Sequence, residues 1–161
     1  MAQRADGGDL LKRFDADIVG ALASDDRQKP SRADTANHAN VCTALKSASG
    51  RFEAAVLHGE RYTIANLDAL DGTSKEYMKD IICTLGMVRL LRRRPGAYKE
   101  LREELTTEEE NHMKLLSTGV DVFDLDAHRE AGLIDQTETT ENYAINTRSL
   151  TIDKLRGHLV D

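Results

Sequence analysis

The sequence predicts an all-α protein, a small bundle of about four helices with a long, partly extended C-terminal arm. Three observations predict it. Apolar residues recur at three- and four-residue spacing through most of the first 123 residues, the period of a helix with one buried face. Aromatic residues make up only 4% and Trp is absent, so Leu, Ile, Val and Ala must form the core around Phe14, Phe52, Tyr77 and Phe123, a composition that favours helices over a β-sandwich. Finally, 161 residues suit one domain that buries roughly two-thirds of the surface of its unfolded chain without disulfide or metal staples.

The first helix is expected at 9–23, where Leu10, Leu11, Phe14, Ile18, Val19 and Leu22 share one stripe. Ser24 to Asn37 is polar, contains Pro30, and offers Ser31 and Asp34 as N-caps, so it reads as a loop leading into the next helix. Val41, Leu45, Ala48, Phe52, Ala55 and Val56 mark helix two, which ends near His58, with Gly59 suited to a left-handed C-terminal position. Residues 60–72 form a connector whose Tyr62, Ile64, Leu67 and Leu70 tuck into the core. Thr73 and Glu76 have capping-box spacing and open helix three, the richest apolar run in the chain: Tyr77, Met78, Ile81, Ile82, Leu85, Val88 and Leu91. This is the expected central helix. Pro95 and Gly96 stop it, and Tyr98, Leu101, Leu105, Met113, Leu115 and Leu116 trace a fourth helix, broken or kinked around Thr106 and Thr107 and ended by Gly119. The expected organisation is a helical body over 1–123 and an arm over 124–161 that orders on a partner.

The net charge of -6 with 31% charged residues argues for solubility and against a general nucleic-acid or membrane-surface binder. The first eight residues lack an apolar signal-peptide core and no stretch approaches the ~18 apolar residues of a membrane span, so a cytoplasmic protein is expected. Cys42 and Cys83 lack CxxC spacing and lie in apolar segments, which predicts buried free thiols.

No catalytic, cofactor or metal site emerges, and no enzyme activity is expected. Glu109 and His112 stand at i and i+3, the half-site of carboxylate-bridged di-iron bundles, but such a site needs a second copy of the motif and two more carboxylates. Glu109 and Glu110 follow Thr106 and Thr107 at capping-box spacing, so both are expected to be solvated residues at a helix start. The strongest local charge feature is Arg89, Arg92, Arg93 and Arg94 at the end of helix three. One or two cations complement a helix dipole; four suggest a further partner. The next helix supplies Glu100, Glu103, Glu104, Glu108, Glu109 and Glu110, leaving two arrangements open. The charges pair across the Pro95 turn within a monomer, or one subunit's basic edge meets its neighbour's acidic face in a ring. In the arm, Tyr143 and Ile145, and Leu150 and Ile152, stand two apart as on one face of an extended strand, with Leu155 beyond.

The order of elements resembles tailed-bacteriophage head-tail connector (adaptor, head completion) proteins of the Mu-like branch. The resemblance rests on Asp9 to Phe14, on Ala44 to Ser49 leading through Phe52 and Glu53 to Arg61 and Tyr62, on Asp80 to Arg93 followed by Tyr98 to Leu101, and on the closing Arg148 to Gly157. The family's proline-containing turn after its second helix is replaced by Arg61 to Leu67, without proline. The resemblance implies a structural virion protein of the phage neck, assembled in the host bacterial cytoplasm. It would form a homo-oligomeric ring, commonly dodecameric, that binds the portal protein above and a tail terminator or stopper protein below. Double-stranded DNA would cross its lumen without specific binding. The family brings no cofactor, membrane or catalytic residue. Under this reading Arg89, Arg92, Arg93, Arg94, Tyr143, Ile145, Leu150, Ile152 and Leu155 are the expected subunit or portal interface. The alternative is a small helical DNA-binding or regulatory protein reading through the Arg89 to Arg94 edge, which the negative net charge disfavours.

Overall fold

In a computed structural model of the chain, residues 3–25 and 30–123 are described, and all fall within the first of two compact units, Met1–Leu125. The expected arm, with Tyr143, Ile145, Leu150, Ile152 and Leu155, lies outside the described residues. The described part is all-α: seven helices and, among the described residues, no strand.

Three long helices build the body: α4 (Ala39–His58), α6 (Gly72–Arg93) and α7 (Lys99–Ser117), each packed against the other two. Short helices α1 (Gly7–Arg13), α2 (Ala16–Ala23) and α3 (Arg32–Asn37) cover the exposed flank of α4 and α6, and α5 (Ile64–Asp68) sits in the connector. The central position expected for helix three is that of α6. From Ile81 to Val88 every residue is buried, followed by Leu90 and Leu91. A helix apolar all round needs neighbours all round, and α1, α2, α4 and α7 supply them.

The single helix expected at 9–23 is two. Phe14 is extended and the Asp15 carboxylate accepts hydrogen bonds from the backbone N–H of Asp17 and Ile18, so a strong N-cap restarts the helix. The loop expected at 24–37 contains α3, started by Ser31, whose Oγ accepts from the Asp34 N–H, and the connector contains α5, opened by a Thr63–Asn66 capping box. The Thr73–Glu76 box does not form. The helix begins at Gly72, and Glu76 pairs with Arg13 and Lys79 instead. The fourth helix is continuous, since the Thr106 and Thr107 hydroxyls donate back to the carbonyls of Arg102 and Glu103 and leave the helix intact.

Gly59 is not left-handed; its φ is -71°, and Glu60 takes that conformation with φ 55°. Glycine is required at 59 for proximity. A Cβ there would lie 2.2 Å from the Leu116 carbonyl oxygen, and one at Gly119, whose φ is +69°, would lie 2.5 Å from the Gly59 oxygen. Two glycines thus let the ends of α4 and α7 touch through backbone.

Candidate functional site

The structure divides the four-arginine edge among different tasks. Arg93 Nη1 donates to the carbonyls of Leu22 and Ala23 and its Nη2 pairs with Asp25 at 2.6 Å, while Arg94 donates to the Ser24 carbonyl. These two guanidiniums occupy the C-terminus of α2, where orphan carbonyls and the negative end of the helix dipole favour cations. Arg92 Nη2 reaches Glu109 Oε2 at 2.9 Å. Arg89 is exposed, and its Nη1 donates to the Ser47 hydroxyl at 2.6 Å. The intramolecular arrangement left open by the sequence is therefore realised for Arg92, although across the α6–α7 packing and not at the acidic start of α7.

Glu109 corrects the sequence reading most sharply. Expected as a solvated helix-start residue, it lies mid-helix with 2% exposure. Its position on α7 falls on the stripe that includes Leu105 and Leu116, so helical geometry turns it inward. Arg51 from α4 and Arg92 from α6 each contribute a guanidinium. Three helices thus meet in one ionic cluster with two cations for one anion. Their side chains remain 46% and 54% exposed, leaving the excess positive charge at the surface together with Arg89.

Alongside this cluster, α4 and α7 line a shallow, open groove of about 560 Å³. Its lining combines Ala54, Ala55 and Met113 with Arg51, His58, Lys114 and Ser117; none of its described lining residues is acidic.

Where α4 and α7 end, the chain beyond α7 is drawn under the core. The Tyr62 hydroxyl donates to Asp121 Oδ1 at 2.6 Å and accepts from the backbone N–H of Val122 and Phe123 at 2.8 and 3.0 Å. Burial together with the Asp121 carboxylate raises the Tyr62 pKa, and the bonds from Tyr62 and Arg61 hold the Asp121 carboxyl below the usual range. Phe123 is 2% exposed and meets Phe52, Tyr62 and Tyr77 edge to face, with ring centroids 5.3 to 6.3 Å apart. Sequence reasoning chose Phe123 as a core anchor but missed Tyr62 as the group that fixes it.

A second missed site ties the N-terminus down. Arg4, in a stretch without apolar periodicity, is inserted between Glu53 and Asp68 at 2.7 Å each, and the Arg4 and Glu53 side chains are only 6% and 5% exposed. Burial works against its charge, but the hydrogen bonds to both carboxylates prevail and raise its pKa. A pairing over so long a stretch of chain leaves no local signal in a sequence.

Of the cysteines, Cys83 is fully buried and its thiol is pushed up to about 12 by burial, whereas Cys42 is only partly buried. This corrects the expectation for Cys42; both remain free thiols. His112 sits edge-on to Tyr77, with Nε2 3.4 Å from Glu108, and so turns away from Glu109. Among the described residues no group of three or more His, Cys, Asp or Glu is placed to hold a metal ion, and no helix is long and apolar enough to cross a membrane.

No family model, curated protein or solved structure matches this chain.

Proposed function

We propose that this chain is a structural protein of a phage neck, assembling as a ring that joins the portal of a DNA-filled head to the tail or to the next neck protein. The observation that carries the reading is the surface built around Glu109. Three long helices are locked together by one buried carboxylate, and the lock presents Arg51, Arg89 and Arg92 on an otherwise acidic chain. A rigid helical body with a local basic face suits a subunit that meets acidic neighbours around a ring. The resemblance of its motifs to Mu-like connectors supplies the setting. In that setting the portal lies above, a terminator or stopper below, and DNA passes through a lumen that an acidic protein does not grip.

Arg89 is the residue for the test. Arg92 neutralises Glu109, and Arg93 and Arg94 secure α2, so replacing those three confounds assembly with folding. Arg89→Glu removes one exposed cation that donates to the Ser47 hydroxyl. Electron microscopy of the purified protein is expected to show rings for wild type, with ring formation lost in Arg89→Glu while its circular dichroism and melting temperature are unchanged. A wild-type protein that forms no ring, alone or with a portal, and instead binds duplex DNA with a steep salt dependence would replace this reading with the regulatory one.

A further inference from the structure

We infer that the groove between α4 and α7 is a docking site for the acidic segment 124–141 of a second copy of this chain. The inference rests on the ring reading only for closure of the contact into a ring; the contact itself is a property of the protein alone.

The groove specifies an amphipathic, acidic occupant. It is lined by the apolar Ala54, Ala55 and Met113 and by the basic side chains of Arg51, His58 and Lys114. Arg51 and Arg92 together meet the single charge of Glu109, so the cluster beside the groove keeps a net positive charge for a further carboxylate. An extended or helical peptide with a few apolar side chains and several acids satisfies both surfaces.

The chain carries one such segment. Between 124 and 141 lie six acids, Asp124, Asp126, Glu130, Asp135, Glu138 and Glu141, against one base, Arg129, with Leu125, Leu133 and Ile134 available for the apolar lining. Residues 142–161, by contrast, hold Arg148, Lys154 and Arg156 against Asp153 and Asp161 and do not match a basic lining. Charge complementarity therefore selects the first half of the arm.

A second copy is the occupant because every copy carries both halves of the contact, the basic groove and the acidic segment. After α7 the chain runs beneath Tyr62 toward the start of α6, where Val122 lines a cleft with Asp71, Thr73, Ser74 and Tyr77. A segment of one copy received in the groove of the next makes a heterologous contact, the kind that closes into a ring or extends into a filament.

The test uses the full chain. Sedimentation velocity is expected to show concentration-dependent self-association that weakens at least tenfold in Lys114→Glu. It should weaken equally in a variant carrying Asp135→Lys and Glu138→Lys, and recover when all three changes are combined. Lys114 is exposed on α7 and outside the Glu109 cluster, so its replacement leaves the fold standing. Carbodiimide cross-linking of an equal mixture of ¹⁴N- and ¹⁵N-labelled protein is expected to join Lys114 to carboxylates of 124–141 in mixed-isotope pairs. Cross-links confined to one isotope would place the segment in its own groove and overturn the inference, as would a monomeric wild type or a triple variant that fails to recover. Rings that persist in Lys114→Glu would refute this contact while leaving the ring reading intact.

Discussion

A carboxylate with 2% exposure in the middle of a helix is costly to bury unless its charge is met, and at Glu109 the cost is divided between two guanidiniums from different helices. Removing either arginine leaves the other in place, whereas removing both strands a buried charge. Arg51→Ala and Arg92→Ala are therefore expected to be mild singly, with a double variant less stable than their sum by about 0.5 to 3 kcal/mol in urea melts; additivity would show that one arginine does all the pairing. Asp9 provides a pH-dependent counterpart. Burial raises its pKa, but the Asp6 backbone N–H and the Lys79 and Lys12 ammonium groups outweigh it and hold the carboxyl below its ordinary 3.8. A depressed folded-state value means that the stabilisation is full above about 3.8 and disappears as pH falls through the folded value. Wild type is thus expected to lose more stability than Asp9→Asn between pH 5 and pH 2.5, a comparison urea midpoints make directly; Asp121 and Glu76, also depressed, supply the loss that remains in the variant. Neither Glu109 nor Asp9 was legible as a buried ion. A glutamate among other glutamates looks solvated until the register of its helix against two others is known, and that register is a tertiary fact.

At the scale of elements, the apolar stripes located the three long helices because each follows the 3.6-residue period over many turns, and α6 stood out because its buried residues extend around the whole circumference. Its weight in the core is testable. Ile82 and Leu85 are 0% and 2% exposed, so Ile82→Ala or Leu85→Ala is expected to cost about 2 to 5 kcal/mol. Glu108, half-exposed beside His112, should tolerate alanine within about 0.5 kcal/mol; thermal melts compare them, and a Leu85→Ala protein that melts like wild type would displace α6 from the centre. The short elements were not legible, for an identifiable reason. Hydrophobic spacing runs across Phe14 and Asp15 without interruption, because α1 and α2 both turn apolar faces to the same core, and only the Asp15 side chain bonding to Asp17 and Ile18 separates them. Thr106 and Thr107 misled in the opposite direction: their hydroxyls bond within the helix, so a pair with poor helix propensity passes through α7 without breaking it.

For the whole molecule, the decisive feature is how the stretch after α7 is held. The Phe123 ring packs against Phe52, Tyr62 and Tyr77 while Tyr62 receives its backbone N–H. The Gly59–Gly119 approach and the Arg61–Asp121 pair at 2.9 Å fix the same stretch from the other side, so residues 119–123 belong to the core in energetic terms although they form no helix. Cutting the chain after Phe123 should therefore preserve helical circular dichroism and shift the melting temperature by no more than a few degrees. Cutting before Asp121 removes the phenyl ring and its supports together and should cost about 3 to 5 kcal/mol, the range for losing a buried Phe. If the arm serves assembly and not folding, the longer truncation is a folded protein that no longer self-associates and no longer joins a portal to a tail, and the shorter one fails for want of stability. Melts and sedimentation on the two truncations separate these causes. A truncation after Phe123 that unfolds would make the arm part of the core, and one that still assembles would make it dispensable to the ring.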